Sequence, residues 1–144
     1  MARYLAALLA VVWVGYVVWD ARPVARPPGV LAPDAPLLAM FHGLEGDSSS
    51  HYARATMRHF ADRGWRAAVV HFRGCSGEPN QLLRAYHSGD SEEGDWVLRT
   101  FHARWPAAPL HAVGISLGGN MLAKWLGERG EAARFVTAAA SIGS

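Results

Sequence analysis

From Pro36 onward, short apolar runs alternate with stretches whose apolar residues recur at helical spacing. Leu37 to His42 reads as a first buried strand, and Gly43 to Ser50 as a Gly- and Ser-rich loop. Ala53, Met57, Phe60 and Ala61 then fall on one helical face, closed by Gly64. Trp65 to Phe72 reads as a second strand. Arg73 to about Gly89 carries Gly, Ser, Pro and Asn and no periodicity, the mark of a long loop at a site rim. Asp90 and Glu93 have the spacing of a capping box, and the helix they open buries Val97, Leu98, Phe101 and Trp105 before Pro106 stops it. Leu110 to Gly114 is a third strand. Leu117, Met121, Leu122 and Trp125 mark a further helix, capped by Gly127 or Gly130, and Phe135 to Ile142 a fourth strand. Strand and helix in alternation predict an α/β domain over residues 37–144, about four parallel strands with crossover helices.

Upstream the pattern changes. Tyr4 to Trp19 is sixteen residues without a charge, bounded by Arg3 and by Asp20 and Arg22. With arginines able to snorkel and Tyr16 and Trp19 suited to an interface, it reads first as an N-terminal transmembrane helix within residues 1–22, giving a single-pass membrane protein. A cleaved signal peptide and a buried soluble element are the other readings. Arg22 and Arg26 oppose Arg3, so the side of the membrane stays open. Five of the eight prolines lie between Pro23 and Pro36, which predicts an extended linker over residues 23–36.

Composition narrows the function classes. The 144 residues are 51% hydrophobic with a net charge of +2, enough for one core and too few for a second domain. The fourteen Lys and Arg are dispersed, with no basic stripe for nucleic acid. One cysteine, Cys75, excludes an internal disulfide and a cysteine zinc cluster. His42, Asp47 and His51, or His87, Asp90 and Asp95, match no metal spacing, and the G-x-x-x-x-G-K-[ST] phosphate loop is absent. Neither a metal nor a cofactor is implied. Glu92, Glu93 and Asp95 read as surface charges that complement a helix dipole.

The chemistry concentrates at Leu110 to Asn120, LHAVGISLGGN. Gly114, Ser116 and Gly118 make G-x-S-x-G between a strand and a helix, where small neighbours let Ser116 sit on a sharp turn with its hydroxyl exposed. The Leu117 N–H, at the start of that helix, is placed to stabilise an oxyanion. Acyl transfer needs a second donor from a glycine-rich loop after an earlier strand, and HGLEG at 42–46 supplies it through the Leu44 N–H.

Together HGLEGDSSSHY at 42–52, HFRGCSGEPN at 71–80, RAYHSGD at 84–90, AVGISLGGNML at 112–122 and LGERG at 126–130 resemble the YheT-like α/β hydrolases, the fourth family of the AB hydrolase superfamily. The resemblance covers residues 37–143, the N-terminal and central part of that fold. It implies a serine esterase or lipase acting on carboxylic esters or acylglycerols through an acyl-Ser116 intermediate, with the Leu44 and Leu117 backbone as oxyanion hole. The resemblance leaves the roles of Arg73 to Asn80 and Tyr86 to Asp90 open; His42, Gly43, Tyr86 and His87 are expected to line the substrate site, the last two at its rim. Some members carry an N-terminal anchor, in keeping with residues 4–19.

In this fold the triad runs Ser, acid, His along the chain. Here all seven histidines and all six aspartates precede Ser116, and only Glu128 and Glu131 follow it. The family's opening and closing strands are also missing; the four kept are expected in the spatial order second, first, third, fourth. The domain therefore reads as a nucleophile half without its base, with impaired activity, or as a non-catalytic remnant that binds a lipid or a partner. His42 and His71, at strand ends near Ser116, are the two candidates for a substitute base. His51, His59 and His102 read as helix-surface residues and His111 as a strand cap. Oligomeric state is left open.

Overall fold

The computed structural model describes residues 31–144 and, before them, the backbone of two short strands. The sheet order is β1-β2-β4-β3-β5-β6, with β1 at Val11–Val12, β2 at Tyr16–Trp19, β3 at Leu37–Phe41, β4 at Arg66–Val70, β5 at Leu110–Ile115 and β6 at Val136–Ile142. Strands β4, β3, β5 and β6 are mutually parallel, in the expected order of second, first, third and fourth.

The transmembrane helix expected within Tyr4 to Trp19 is not what these residues form where they are described. Strand β2 runs antiparallel to β4, Val18 beside Val70 and Trp19 beside Val69. A charge-free run rich in valine suits a strand as well as a membrane, and pairing satisfies the otherwise open edge of β4. The remainder of residues 1–22 and the first part of the proline-rich linker lie outside the described residues. Among the described residues no helix is long and apolar enough to cross a membrane. The end of the linker is held to the domain: Ala35 is buried, and the Arg66 guanidinium donates to the Ala35 and Ala32 carbonyls, both at 2.6 Å.

Period-two alternation in β3 divides the core. Leu37, Ala39 and Phe41 face helices α2 (Ser91–Arg104) and α3 (Leu117–Arg129), packing with Val97, Leu98, Phe101, Met121, Leu122 and Trp125. Leu38 and Met40 face the opposite way, against Ala53 and Met57 of α1 (His51–Ala61). All five residues of β3 are buried because both faces are covered, which explains their unbroken apolar character.

The windings on the two faces meet between β3 and β5. The chain leaves β3 for α1 on one face and leaves β5 for α3 on the other. Two loops thus diverge from neighbouring strand ends, the place where open α/β sheets bind their ligands. The loops are those beginning at His42 and at Ser116.

Three local expectations change. Asp90 and Glu93 do not form a capping box: Asp90 makes no side-chain cap bond, and Glu93 turns to Arg73 instead. An exposed cap is worth about 1 kcal/mol, whereas a buried guanidinium stripped of its carboxylate costs about 3–5 kcal/mol, so Arg73 prevails. Asp95 is a packing residue as well as a surface charge, accepting from Trp125 Nε1 at 2.8 Å and Arg99 Nε at 2.9 Å. Desolvation opposes ionisation there, but those two donors hold its carboxyl below the usual range. His111 lies within β5, its ring 4.7 Å from that of Trp65, rather than capping the strand.

Candidate active site

Ser116 joins β5 to α3 with φ 50° and ψ −113°, a left-handed conformation for a residue that carries a Cβ. Such a backbone persists only where its surroundings enforce it. The Ser116 N–H donates to the Ile142 carbonyl at 2.8 Å, so β6 holds one side of the turn, and the Ser116 carbonyl accepts from the Asn120 N–H at 2.9 Å as α3 begins. The flanking glycines are required by contact. A Cβ on Gly114 would lie 2.3 Å from the Gly118 carbonyl oxygen, and one on Gly118 would lie 2.4 Å from that of Phe41. The Ser116 side chain is exposed at the turn.

The second loop is immediately beside it. A Cβ built on Gly43 would be 3.5 Å from both the Ser116 Cβ and the Ile115 carbonyl oxygen. The turn that follows is held throughout: the Gly43 N–H donates to the Tyr52 hydroxyl at 3.1 Å, the Gly46 N–H to the Gly43 carbonyl at 3.0 Å, and the Glu45 N–H to the Tyr86 hydroxyl at 3.0 Å. The Leu44 side chain is 69% exposed.

The residues expected to line a substrate site divide. Gly43 is at Ser116. His42 is wholly buried, donating through Nδ1 to the Gly43 carbonyl at 2.7 Å and accepting at Nε2 from the Phe72 N–H at 3.1 Å. Both nitrogens are thus engaged in one tautomer, and burial holds its pKa below the ordinary value. It braces the turn instead of facing a substrate, because the sheet end buries it. Tyr86 stacks on Phe72 with centroids 5.3 Å apart and donates to Glu45 Oε1 at 2.6 Å. Burial and that bond both push its hydroxyl pKa well up. His87 is exposed and accepts at Nδ1 from the Gly89 N–H of its own loop.

Nor does His71 stand as a base at Ser116. Its Nε2 accepts from the Ser48 N–H at 3.1 Å, and burial, with His42 close by, lowers its pKa to about 4. Glu128 accepts from Ser91 Oγ at 2.5 Å and pairs with Lys124 at 3.1 Å, while Glu131 pairs with Arg134. Among the described residues no side chain hydrogen-bonds the Ser116 hydroxyl, and none form a cluster able to hold a metal.

The fold that carries this exposed, strained serine is one that comparison with known proteins identifies. The α/β-hydrolase fold model matches residues 36–144. The chain belongs to the α/β-hydrolase fold family. As a member of that family it is 52% identical over 95 residues to the Putative esterase YheT of Escherichia coli, covering 66% of this chain and 28% of that protein. That bears out the YheT-like resemblance. It is 31% identical over 104 residues to human Phospholipase ABHD3, covering 72% of this chain and 25% of the relative. An α/β serine hydrolase homologue from Coxiella burnetii shares the fold, with a TM-score of 0.57 at 20% identity over 73% of this chain and 50% of that one. The chain thus spans about a quarter of the length of the curated relatives it matches.

Two residues that sequence reasoning passed over complete the site. Tyr52, on the first turn of α1, takes the Gly43 N–H, and Ile142 takes that of Ser116. Tyr52 stands at the end of the HGLEGDSSSHY segment, which hints at a role, whereas nothing local in Ile142 marks it. Its part arises from register alone, Ile115 opposite Ile142.

Proposed function

We propose that this chain carries the nucleophile and oxyanion side of a serine hydrolase acting on carboxylic esters, acylglycerols among them. The observation that carries the reading is Ser116 at φ 50° with Gly43 beside it. Nothing in packing needs a strained, exposed serine there, whereas a nucleophile does. In the proposed reaction Ser116 Oγ attacks the ester carbonyl, whose oxygen becomes an oxyanion received by the Leu44 and Leu117 N–H groups. As the oxyanion collapses, the C–O bond to the leaving group breaks, and the alkoxide takes the proton lost by the Ser116 hydroxyl and departs as the alcohol. Water then hydrolyses the acyl-Ser116 ester to the acid and the free serine. The names of the relatives, an esterase and a phospholipase, support the substrate class.

His42 and His71 are engaged in the fold, so neither is placed to act as base on Ser116. Oxyanion stabilisation and binding alone leave about 10³- to 10⁴-fold catalysis over water. Because no side chain among the described residues hydrogen-bonds the Ser116 hydroxyl, a second reading stands beside the first, a module that binds a lipid or a partner without turnover. A fluorophosphonate probe separates the two: intact mass should show one adduct on the wild type and none on Ser116→Ala. A folded wild type that takes up no probe would leave the binding reading.

A further inference from the structure

We infer that Tyr52 and Tyr86 are positioning residues for the Leu44 N–H, their hydroxyls taking the amides on either side so that this one is left to meet an oxyanion. The inference rests on the oxyanion role proposed above. Among three successive amides, Gly43 donates to Tyr52 and Glu45 to Tyr86, while Leu44 meets no acceptor among the described residues. The direction of the Leu44 N–H is also fixed. It shares a planar trans peptide with the Gly43 carbonyl and must point the opposite way. That carbonyl accepts from His42 Nδ1 at 2.7 Å and from the Gly46 N–H at 3.0 Å, which anchors the peptide plane from behind.

The grip on Glu45 is specific. Glu45 has φ 53°, a left-handed backbone that a side-chain-bearing residue keeps only under external restraint. Tyr86, 41 residues away in sequence, applies that restraint twice, accepting from the Glu45 N–H and donating to its carboxylate. The tyrosine is itself immobilised by stacking 8° from parallel on Phe72, which is buried and donates its N–H to His42 Nε2. Phe72 and His42 therefore tie the two ends of the turn to one point in the core. The Leu44 side chain, mostly exposed, contributes little restraint of its own. The loop at Tyr86 thus sets the geometry of the turn instead of only bordering the site.

The test uses the full chain with Tyr52→Phe and Tyr86→Phe, each removing one hydroxyl. Fluorophosphonate labelling is resolved into the maximal rate and the probe concentration giving half of it, and amide hydrogen exchange is followed by NMR at Gly43, Leu44 and Glu45. A misaimed donor should lower the maximal rate about tenfold in each variant with half-saturation unchanged, while the melting temperature falls by only about 4 °C, as the loss of one hydrogen-bond partner predicts. Exchange should quicken at Gly43 in Tyr52→Phe and at Glu45 in Tyr86→Phe. Glu45→Gln, which keeps an acceptor for the Tyr86 hydroxyl, should retain the rate that Glu45→Ala loses. Wild-type maximal rates in both tyrosine variants would overturn the inference, as would unchanged exchange. If the wild type takes up no probe, the nucleophile reading fails, and exchange at Gly43 and Glu45 decides the positioning role alone.

Discussion

Replacing Ser116 by glycine should stabilise the protein while abolishing any nucleophile. Ser116 holds φ 50° and ψ −113°, a conformation that costs a residue with a Cβ about 1–3 kcal/mol. Glycine adopts it freely but brings a more flexible unfolded chain, a loss of about 0.4–1 kcal/mol. The difference leaves a gain of about 1 kcal/mol. Ser116→Ala keeps the strained Cβ and loses only an exposed hydroxyl, so it should lie within about 0.5 kcal/mol of the wild type. Urea unfolding of all three proteins tests this, with equal m values as the check that only stability has changed. The melting temperature of Ser116→Gly should rise by about 4 °C. A Ser116→Gly variant no more stable than Ser116→Ala would refute the claim that the turn stores strain.

Two further outcomes follow from burial. His71 has its pKa lowered from 6.5 to about 4, so on acidification the unfolded chain takes up the proton before the native one does. The stability from neutral His71 is complete above about pH 6.5 and is lost as the pH falls toward 4, by roughly 2–3 kcal/mol, with buried His42 acting in the same direction. Urea midpoints across that range should drop for the wild type and flatten for His71→Asn; a wild-type midpoint that does not move with pH would contradict the assignment. Gly118→Ala places a Cβ 2.4 Å from the Phe41 carbonyl oxygen and 2.6 Å from that of His42, backbone atoms that cannot yield cheaply. It should cost about 3 kcal/mol or prevent folding, whereas Gly127→Ala, with nothing within 4 Å, should gain up to about 1 kcal/mol from helix propensity. Comparable stability of the two alanine variants would show that the glycine contact does not govern the turn.

The strands and helices from Leu37 onward were legible because their apolar spacing reports local periodicity, and the G-x-S-x-G and HGLEG segments because close backbone approach demands glycine. The apolar run before Asp20 was ambiguous for a physical reason. Tyr16 to Trp19 has the same composition whether it faces lipid or pairs with β4, and only the bare edge of β4 distinguishes them. Glu93 was misread because its position on the first turn of a helix is local, whereas its partner Arg73 is twenty residues away.

By itself, then, the chain determined where the strands from Leu37 onward lie and that a serine between glycines stands at a strand end, since each of these depends on neighbours within a few residues; the order of those strands was legible only through the family resemblance. The tertiary structure alone decided which polar groups are already used: both nitrogens of His42, the hydroxyls of Tyr52 and Tyr86, and Nε2 of His71. A buried polar group must find a partner wherever the fold brings one, and for His42 that partner, the Phe72 N–H, lies 30 residues away. That long-range satisfaction of hydrogen bonds makes His42 a brace for the turn at Ser116, a role its place in the sequence does not reveal.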